Sequence, residues 1–433
     1  MRKKVLIIGS GGINKYDYLT WLERLGAEVV LLEPENMDYD YVPKYKRYVV
    51  PFTDIDAVVE KARAIAAAHS INVVDTIYEL AMEHAATVRK TLGISGLTPE
   101  CVNVARNKIA MAEFMKSNGI RCAHFIKFSQ QEDLGIIHEK MQLHGDHEWI
   151  LRPDRLGSNI GIRKIKTADA FMDAFKSAHD DLACNQYSKL LYDVDHKWML
   201  SKYIAGYELE AEICIHKGEI IFLCPLFKTV IQERESRIEE NRCVTPAPWL
   251  DTDDLADMNL QIQRLAAAVY EKIMIPCGRE TLIVYAEFRI DSNKNAYVLE
   301  FAFRNGGYLN PMIIEMSTGI SPCYLSAAAT LGVKPEILPE KKRCAVGYQS
   351  IYSDRKGIFE CVKDIEQMNG IIIKNEVSPG YKISVPHSEI VTNVIASAET
   401  AEKVDELLND ALRNAKVVVD GLHIDIPLSS FVQ

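Results

Sequence analysis

Residues 282–304 read LIVYAEFRIDSNKNAYVLEFAFR, with apolar and polar side chains alternating on both sides of the polar segment 292–295. This pattern is typical of an antiparallel β-hairpin. A turn centred on Asn293 and Lys294 pairs Glu287 with Glu300 and sets their Cβ atoms about 4.5–5.5 Å apart. Because like charges directly opposite each other are destabilising, the pair predicts a cation between the two carboxylates.

Two carboxylates on one sheet face suit a hard cation such as Mg²⁺, which proteins usually share with substrate phosphates. The period of two along a strand places Ala302 and Arg304 on the same face as Glu300. An exposed hairpin with solvated glutamates is a second interpretation, and the spacing alone leaves both open. The opposite face is apolar and predicts core positions for Phe288, Ile290, Phe301 and Phe303.

The chain of 433 residues is long enough for two or three domains with sizeable cores. Its formal net charge of −10 argues against nucleic acid as a partner. No apolar run approaches the roughly 18–20 residues of a membrane span, so we expect no membrane partner. The ten cysteines are scattered without a Cys-x-x-Cys motif, which predicts neither structural zinc nor disulfides and indicates a cytoplasmic location.

Strands and helices alternate over residues 1–98, which predicts a doubly wound parallel sheet. We expect one helix over 106–118 and a hairpin that pairs 209–215 with 219–225. Residues 228–248 are charged and lack periodicity, which predicts a long loop that either closes over a site or merely connects two elements. Residues 340–433 are predicted to form a smaller α+β region.

The segment Gly9-Ser-Gly-Gly-Ile-Asn14 follows the first predicted strand. A dinucleotide-binding fingerprint would place Gly at position 14, although Glu33 at the end of the second strand is the acid that such a site requires. A dinucleotide-dependent oxidoreductase is therefore one candidate class. A tight strand-to-helix turn that needs glycine for its backbone conformation is the other interpretation.

A second candidate phosphate site is the segment Arg152-Pro-Asp-Arg-Leu-Gly157-Ser-Asn-Ile-Gly161. A predicted strand delivers Arg152, and the small residues that follow can fold their backbone N–H groups over phosphates. A plain hairpin with glycine in its turn explains the same pattern, and both interpretations stay open.

Taken together, five segments in this order resemble the ATP-grasp superfamily, and the resemblance runs through nearly the whole chain. They are Asn107-Lys108, Ile150-Leu-Arg152-Pro153 with residues 157–161, Ser201-Lys-Tyr-Ile204 with Glu208, the strand that carries Glu287, and Glu300-Phe-Ala-Phe-Arg304-Asn-Gly306-Gly307. The order after Glu300 is most similar to the carboxylate–amine ligase branch, which includes L-amino-acid ligases. Biotin carboxylase and the large subunit of carbamoyl-phosphate synthetase are more distantly similar.

The resemblance implies a fold of class α/β and α+β with four parts. The first is an N-terminal parallel-sheet domain over 1–98, and the second is a small lid subdomain over 99–205. A large subdomain with the acidic hairpin covers 206–335, and a C-terminal α+β subdomain covers 336–433.

The resemblance also implies roles for single residues. ATP would be bound by Lys108, Arg152, Gly157, Ser158, Lys202, Tyr203, Ile204 and Glu208. Glu287 and Glu300 would hold Mg²⁺, or Mn²⁺ in its place, and Arg304 would be the catalytic residue that stabilises the oxyanion. Gly306, Gly307 and Glu79 would face the substrate. Ala302 departs from the family pattern, which usually has Asn there as a third metal ligand.

The implied function is that of an ATP-dependent ligase that joins a small-molecule carboxylate to an amine, such as an amino acid, through an acyl phosphate. An ATP-binding regulatory protein without turnover is the alternative class, and Ala302 is the residue that favours it. A homodimer is the default expectation for the assembly.

Overall fold

The computed structural model describes residues 2–11, 16–35, 45–129, 131–145, 147–156, 160–184, 197–234, 237–247, 255–337, 344–384 and 389–426. Within these ranges the strands form four sheets. None of the helices in the same ranges combines the length and the apolar character that crossing a membrane requires.

The first sheet is parallel, has the strand order β3-β2-β1-β4, and is covered by helices on both faces. Val5 and Ile7 pack against α1 on one face, whereas Leu6 and Ile8 pack against α2 and α3 on the other. The predicted doubly wound sheet is thus confirmed. Its elements are β1 (Lys4–Ile8), α1 (Tyr16–Arg24), β2 (Glu28–Glu33), β3 (Lys46–Val49), α2 (Ile55–His69), β4 (Val73–Asp75) and α3 (Met82–Leu92).

The helix predicted over 106–118 is confirmed as α5 (Lys108–Ser117), and a second helix that was not predicted, α4 (Pro99–Arg106), precedes it. Asn107 separates them because its backbone is extended, with φ −103° and ψ 111°. Its side-chain oxygen caps α5 by accepting hydrogen bonds from the N–H groups of Ile109 and Ala110. Thr98 caps the start of α4, a signal that the prediction missed. The junction leaves Arg106 and Lys108 on either side of Asn107.

The next sheet, here called the small sheet, is antiparallel with the order β5-β8-β6-β7. Trp149, Trp198 and Phe171 fill its core together with apolar residues of the two helices that cover it. The elements are β5 (Phe125–Ser129), α6 (Leu134–Leu143), β6 (Trp149–Pro153), β7 (Arg163–Ile165), α7 (Phe171–Cys184) and β8 (Lys197–Lys202).

An eight-stranded sheet, here called the large sheet, has the order β13-β12-β9-β10-β11-β14-β18-β16, and a smaller one has the order β17-β15-β19-β20. The elements are β9 (Tyr207–His216), β10 (Glu219–Arg234), β11 (Arg237–Thr245), α8 (Ala256–Val269), β12 (Thr281–Ile290), β13 (Ala296–Ala302), α9 (Asn310–Thr318), α10 (Pro322–Thr330), β14 (Ala345–Tyr352), β15 (Gly357–Lys363), β16 (Ile371–Asn375), β17 (Lys382–Ile383), β18 (Ile390–Ala398), α11 (Ala401–Leu412), β19 (Lys416–Val419) and β20 (Leu422–Asp425). The large sheet continues across the proposed domain border at 335/336, because β11 pairs with β14.

The prediction of a loop over 228–248 is wrong for most of that segment, since β10 extends to Arg234 and β11 returns from Arg237 to Thr245. The last part of β11 is paired on both sides, with Arg242 opposite Gln349 of β14. This pairing with a strand about a hundred residues away has no local sequence signal, and composition alone therefore suggested a loop.

The acidic hairpin forms as predicted, with Glu287 directly opposite Glu300. Its register is less simple than assumed, because Ile290 pairs with Ala296 near the turn and a β-bulge follows between Glu287 and Phe288. The bulge adds one residue to β13 and restores the pairing of the two glutamates. The predicted core residues Phe288, Ile290, Phe301 and Phe303 are all buried.

Gly206 connects the small sheet to the large one in a conformation that only glycine adopts easily, with φ +138°. A Cβ atom at this position would lie 1.9 Å from the carbonyl oxygen of Ile290. We therefore expect Gly206→Ala to lower the free energy of unfolding by about 3 kcal/mol or more. Chemical denaturation followed by circular dichroism measures this change.

Gly332 provides the matched control, because it also has a positive φ of +63° but a Cβ atom there would meet nothing within 4 Å. Gly332→Ala should cost only the backbone strain, about 1–2 kcal/mol. Equal losses in the two variants would contradict the close approach between Gly206 and Ile290.

Candidate functional site

The acidic hairpin is part of a row of carboxylates on one face of the large sheet. Glu300 on β13 lies opposite Glu287 on β12, and Glu287 in turn lies opposite Glu210 on β9. Glu208 and Glu212 flank Glu210 at intervals of two, so the strand period places them on the same face. Glu210 and Glu212 were missed from the sequence, although this alternation along β9 was a readable signal.

Two cations from neighbouring strands neutralise the middle of the row. Lys228 on β10 is buried, with its Nζ 3.2 Å from Glu208 and 3.0 Å from Glu210. A third carboxylate, that of Glu287, lies 3.8 Å from the same Nζ. Arg289 on β12 donates from its Nε to Glu208 at 2.9 Å. Lys228 therefore belongs to the sheet face itself and not to a mobile loop.

The cations also determine the ionisation of Glu208. Burial raises the pKa of this carboxyl, but Lys228 and Arg289 outweigh burial and hold the pKa below its ordinary value. Glu208 is thus a carboxylate at neutral pH, as an acceptor for hydroxyl groups must be.

Two further cations approach Glu300 from outside the large sheet. Lys108 at the start of α5 places its Nζ 3.7 Å from Glu300, and Arg152 on β6 places its Nη1 3.8 Å away. Burial lowers the pKa of Lys108, and the nearby charge of Glu300 works against this shift. Asp154 fixes the start of α5, because its carbonyl oxygen accepts from the Lys108 N–H at 2.7 Å and its side chain accepts from Asn107 at 2.8 Å.

A cavity of about 190 Å³ lies where the small sheet, α5 and the large sheet meet. Its wall combines apolar residues, here called the apolar slot, with the charged groups described above. The apolar residues include Ala112, Met115, Phe125, Ile150, Met199 and Val298. The charged residues include Lys108, Arg152, Glu208, Glu287, Arg289 and Glu300.

Ten residues were predicted from the resemblance to bind ATP or a metal, and the structure brings eight of them into the wall of this cavity. They are Lys108, Arg152, Lys202, Tyr203, Ile204, Glu208, Glu287 and Glu300. The remaining two, Gly157 and Ser158, lie outside the described residues.

Tyr203 is held firmly at the connection between the two sheets. Its N–H donates to the carbonyl oxygen of Glu148 at 2.8 Å, and its hydroxyl accepts from Arg289 Nη1 at 3.0 Å. The ammonium group of Lys164 lies 3.8 Å from the centre of its ring, which is cation–π geometry. This segment therefore gives the cavity a rigid wall at its apolar end.

The predicted catalytic residue Arg304 lies in a second cluster that adjoins the cavity. Its guanidinium donates to Glu79, and Arg106 at the end of α4 donates to the other oxygen of the same carboxylate. Although burial raises the pKa of Glu79, Arg304 and Arg106 outweigh it and hold this pKa far below its ordinary value. Tyr285 links the cluster to the cavity, since its hydroxyl donates to Glu287 at 2.8 Å and its ring lies 5.9 Å from the Arg304 guanidinium.

Gly306 and Gly307, predicted to present N–H groups to a substrate, follow Arg304 directly. The N–H of Gly306 donates to Glu212 at 2.8 Å, so a substrate would have to replace that carboxylate. A Cβ atom on Gly306 would lie 3.0 Å from the Tyr285 ring and 3.0 Å from Asn310. Around Gly307 there is open space, which leaves room for a ligand.

The carboxylates present fit a Mg²⁺ ion that is shared with a phosphate ligand. Glu287 and Glu300 face each other, and their side chains are 18% and 31% exposed, so both reach the cavity. The described part of the chain contains no cluster of three or more Asp, Glu, His or Cys side chains that could hold a metal ion without further ligands. Ala302 contributes no ligand, and Mg²⁺ commonly takes one or two carboxylates and completes its shell with phosphates and water.

Glu33 does not lie where a dinucleotide-binding acid would need to be. It is completely buried, and both of its carboxylate oxygens accept from the N–H of Ser10, at 3.1 and 3.0 Å. Burial raises its pKa. Glu33 therefore stabilises the turn after β1 and has no surface to offer to a ribose.

Comparison with known proteins identifies the fold. No protein-family model matches the chain. The biotin carboxylase of Halalkalibacterium halodurans is 22% identical over 455 aligned positions, which cover 99% of this chain and 93% of that protein. An L-amino acid ligase from Bacillus licheniformis superimposes with a TM-score of 0.78 at 18% identity, over 97% of this chain and 99% of that one.

A second similar structure is the biotin carboxylase domain of the 2-oxoglutarate carboxylase from Hydrogenobacter thermophilus, in complex with MgADP and bicarbonate. Its TM-score is 0.70 at 18% identity, over 97% of this chain and 91% of that one. The chain therefore has the ATP-grasp fold, as its resemblance to that superfamily implied.

Glu208 offers a direct test of the charge arrangement. Glu208→Gln removes the carboxylate that Arg289 contacts and one of those that Lys228 contacts, so we expect a loss of about 3–5 kcal/mol in the free energy of unfolding at pH 7. Because the folded-state pKa of Glu208 is depressed, its contribution is fully present above the unfolded pKa and is lost as pH falls through the folded value. The difference between variant and wild type should shrink as pH falls below about 4.3, the ordinary pKa of a glutamate, as measured by urea denaturation.

Glu219→Gln is the matched control for this prediction. Glu219 is exposed at the start of β10, so its removal should change stability by less than about 0.5 kcal/mol at any of these pH values. A pH-independent loss in Glu208→Gln would contradict the charged state assigned to Glu208.

Proposed function

We propose that the protein is an ATP-dependent ligase that joins a small-molecule carboxylate to an amine through an acyl phosphate. One observation carries the proposal: a single cavity combines an apolar slot with the opposed carboxylates Glu287 and Glu300 and with the cations Lys108 and Arg152. A nucleotide has the same division, with a flat apolar base at one end and a charged phosphate chain at the other.

The apolar slot would hold adenine against the Tyr203 and Ile204 backbone, with Lys202 beside it. Glu208 would accept hydrogen bonds from the ribose hydroxyls. Lys108 and Arg152 would bind the phosphates, together with the N–H groups of Gly157 and Ser158. Arg152 supports this role, because its Nε is buried without a hydrogen-bond partner among the described residues, and a phosphate oxygen would provide one.

Glu287 and Glu300 would hold Mg²⁺, or Mn²⁺ in its place. When bound, such an ion neutralises the phosphate charge that develops during phosphoryl transfer. Lys228 and Lys108 balance the charges of the two carboxylates and hold them in place. The chain's own contribution is therefore positioning and charge compensation, with no covalent intermediate on the protein.

The carboxylate substrate would lie between the phosphate end of the cavity and Arg304. Its oxygen attacks the γ-phosphorus of ATP, the bond to the β-phosphate oxygen breaks, and ADP leaves. Arg304 would stabilise the charge on the acyl oxygen when the amine then attacks the acyl carbon. Phosphate leaves with the electron pair, and the amine releases its proton to water.

Three similar proteins support this class of reaction. The L-amino acid ligase is by its name a ligase for amino acids, and the biotin carboxylase domain binds MgADP and bicarbonate, which is itself a small carboxylate. The biotin carboxylase of Halalkalibacterium halodurans is the third. Amino acids are therefore our first choice of substrate class.

A regulatory protein that binds ATP without turnover is the second candidate, and Ala302 is the observation that favours it. Ala302 lies opposite Tyr285 at the end of the hairpin and offers no oxygen to a metal. Glu287→Gln would leave the function of such a protein intact, whereas it would abolish a ligase.

Incubation of the protein with ATP, Mg²⁺ and pooled amino acids should release ADP and phosphate. We expect Glu287→Gln to reduce the rate by at least about 10²-fold, because the charge of the transferred phosphoryl group is no longer balanced. Coupled measurement of phosphate release gives the rate.

Glu280→Gln is the control, since Glu280 is exposed and pairs with exposed Lys217 at 3.2 Å. It should keep the rate of the wild type. Tight ATP binding without phosphate release for any combination of carboxylate and amine would argue for the regulatory protein instead.

A further inference from the structure

Arg106 is a buried arginine next to the cavity, and it has N–H donors without a hydrogen-bond partner among the described residues. Its Nη1 donates to Glu79, the carboxylate that also accepts from Arg304. The Nε and Nη2 atoms of Arg106 are buried and bond to nothing in the described part of the chain. Burying a donor without a hydrogen-bond acceptor is unfavourable. Native folds contain such donors where a ligand or a water molecule accepts the hydrogen bond.

A ligand that accepts hydrogen bonds from Arg106 would be an anion, because the cations around Arg106 outnumber the carboxylates. Four cations share two carboxylates here: Lys108 and Arg152 contact Glu300, and Arg106 and Arg304 contact Glu79. Around Lys228 the balance is reversed among the described residues, because Glu208, Glu210 and Glu287 contact Lys228 and Arg289 also contacts Glu208. An anion is thus favoured on the Arg106 side and a metal ion on the Lys228 side.

The position of Arg106 relative to the cavity identifies which part of a ligand it meets. Arg106 ends α4, and Lys108, which lines the phosphate end of the cavity, begins α5 two residues later. Only Asn107 lies between Arg106 and Lys108 in the chain, and, besides burial, the charge of Arg106 contributes to the lowered pKa of Lys108. Arg304 reaches the same point from the other side of Glu79.

We propose that Arg106 and Arg304 form a two-guanidinium clamp for the phosphoryl group of the acyl phosphate and for the phosphate ion that the amine displaces. This inference rests on the proposed ligase function. Glu79 holds the two guanidinium groups together in the absence of this ligand. The planar fork of arginine presents parallel N–H donors that match phosphate oxygens, which a lysine does not. Arg106 is thereby a phosphate-binding residue in addition to those of the nucleotide cavity.

Binding of inorganic phosphate to the protein saturated with MgADP tests the clamp without turnover. Arg106→Met should raise the Kd of phosphate about ten-fold or more, as expected for the loss of a hydrogen bond to a charged group. The Kd of ADP should stay the same, because Arg106 is not part of the wall of the nucleotide cavity. Isothermal titration calorimetry measures both constants.

Two further variants separate the clamp from a structural role. Glu79→Gln should tighten phosphate binding, because it removes the negative charge that competes for the two guanidinium groups. Arg106→Lys should bind phosphate with intermediate affinity, since it keeps the charge and loses the fork. A purely structural role of the ion pairs predicts weaker binding in all three variants, so weaker binding in Glu79→Gln would overturn the proposal.

Arg242→Met is the matched control, because it removes another buried guanidinium that contacts Asp405 and Gln349 instead of the cavity. It should lower thermal stability and leave the Kd of phosphate unchanged. An unchanged Kd in folded Arg106→Met would overturn the clamp, while turnover in that variant would leave the ligase proposal intact. Loss of phosphate affinity in Arg106→Met, together with no turnover by the wild type, would support the clamp and contradict the ligase.

Discussion

The repulsion between Glu287 and Glu300 is the constraint around which the cleft is built. The two carboxylates face each other on neighbouring strands and are only partly exposed, so water cannot screen them fully. Each is balanced by a cation from a different part of the chain. Lys228 approaches Glu287 from β10, while Lys108 and Arg152 approach Glu300 from α5 and β6. The fold has to bring these elements together before the hairpin is stable.

This arrangement also separates acidic groups from cationic groups along the cleft, so that a ligand with both a metal ion and an anionic group can contact both. Acidic groups dominate around Lys228, and cationic groups dominate around Arg106 and Arg304. Because these groups are held by backbone elements and by each other, little reorganisation is needed when a charged ligand binds. Preorganised charge of this kind is the largest single source of catalysis in many enzymes. In the proposed function, the apolar slot next to it would supply binding energy for a base without adding charge.

Alternation along the chain was enough to predict the hairpin, its buried face and the pairing of the two glutamates. The bulge beside Glu287 could not be predicted, because the turn, in which Asp291 accepts hydrogen bonds from Asn293 and Asn295, was assumed to set one register for the whole hairpin. The two strands in 228–248 were missed because their charged residues show no alternation, and because β11 ends in a pairing with β14, far away in sequence. Local sequence patterns therefore predict strands and helices that have a periodicity of their own. They fail for a segment whose strand pairing depends on a partner far away in sequence.

The same distinction applies to the site. Lys108 and Glu208 belong to motifs that follow one another in the same order as in the ATP-grasp superfamily. They were predicted from that resemblance and lie in the wall of one cavity. Arg106 escaped prediction because its partner Glu79 lies 27 residues away, on a different element. Nothing in the sequence around α4 indicates that its last residue is buried against a carboxylate from the turn after β4. Such contacts become visible only when the fold is known.

A crystal structure with a non-hydrolysable ATP analogue and Mg²⁺ tests the central claim most directly. If Glu287 and Glu300 are opposed in order to share an ion with a nucleotide, that structure will show one Mg²⁺ in contact with both carboxylates and with phosphate oxygens. The base will lie in the apolar slot beside Tyr203. A nucleotide bound elsewhere, or bound in the cavity with the metal in contact with neither glutamate, would contradict the account.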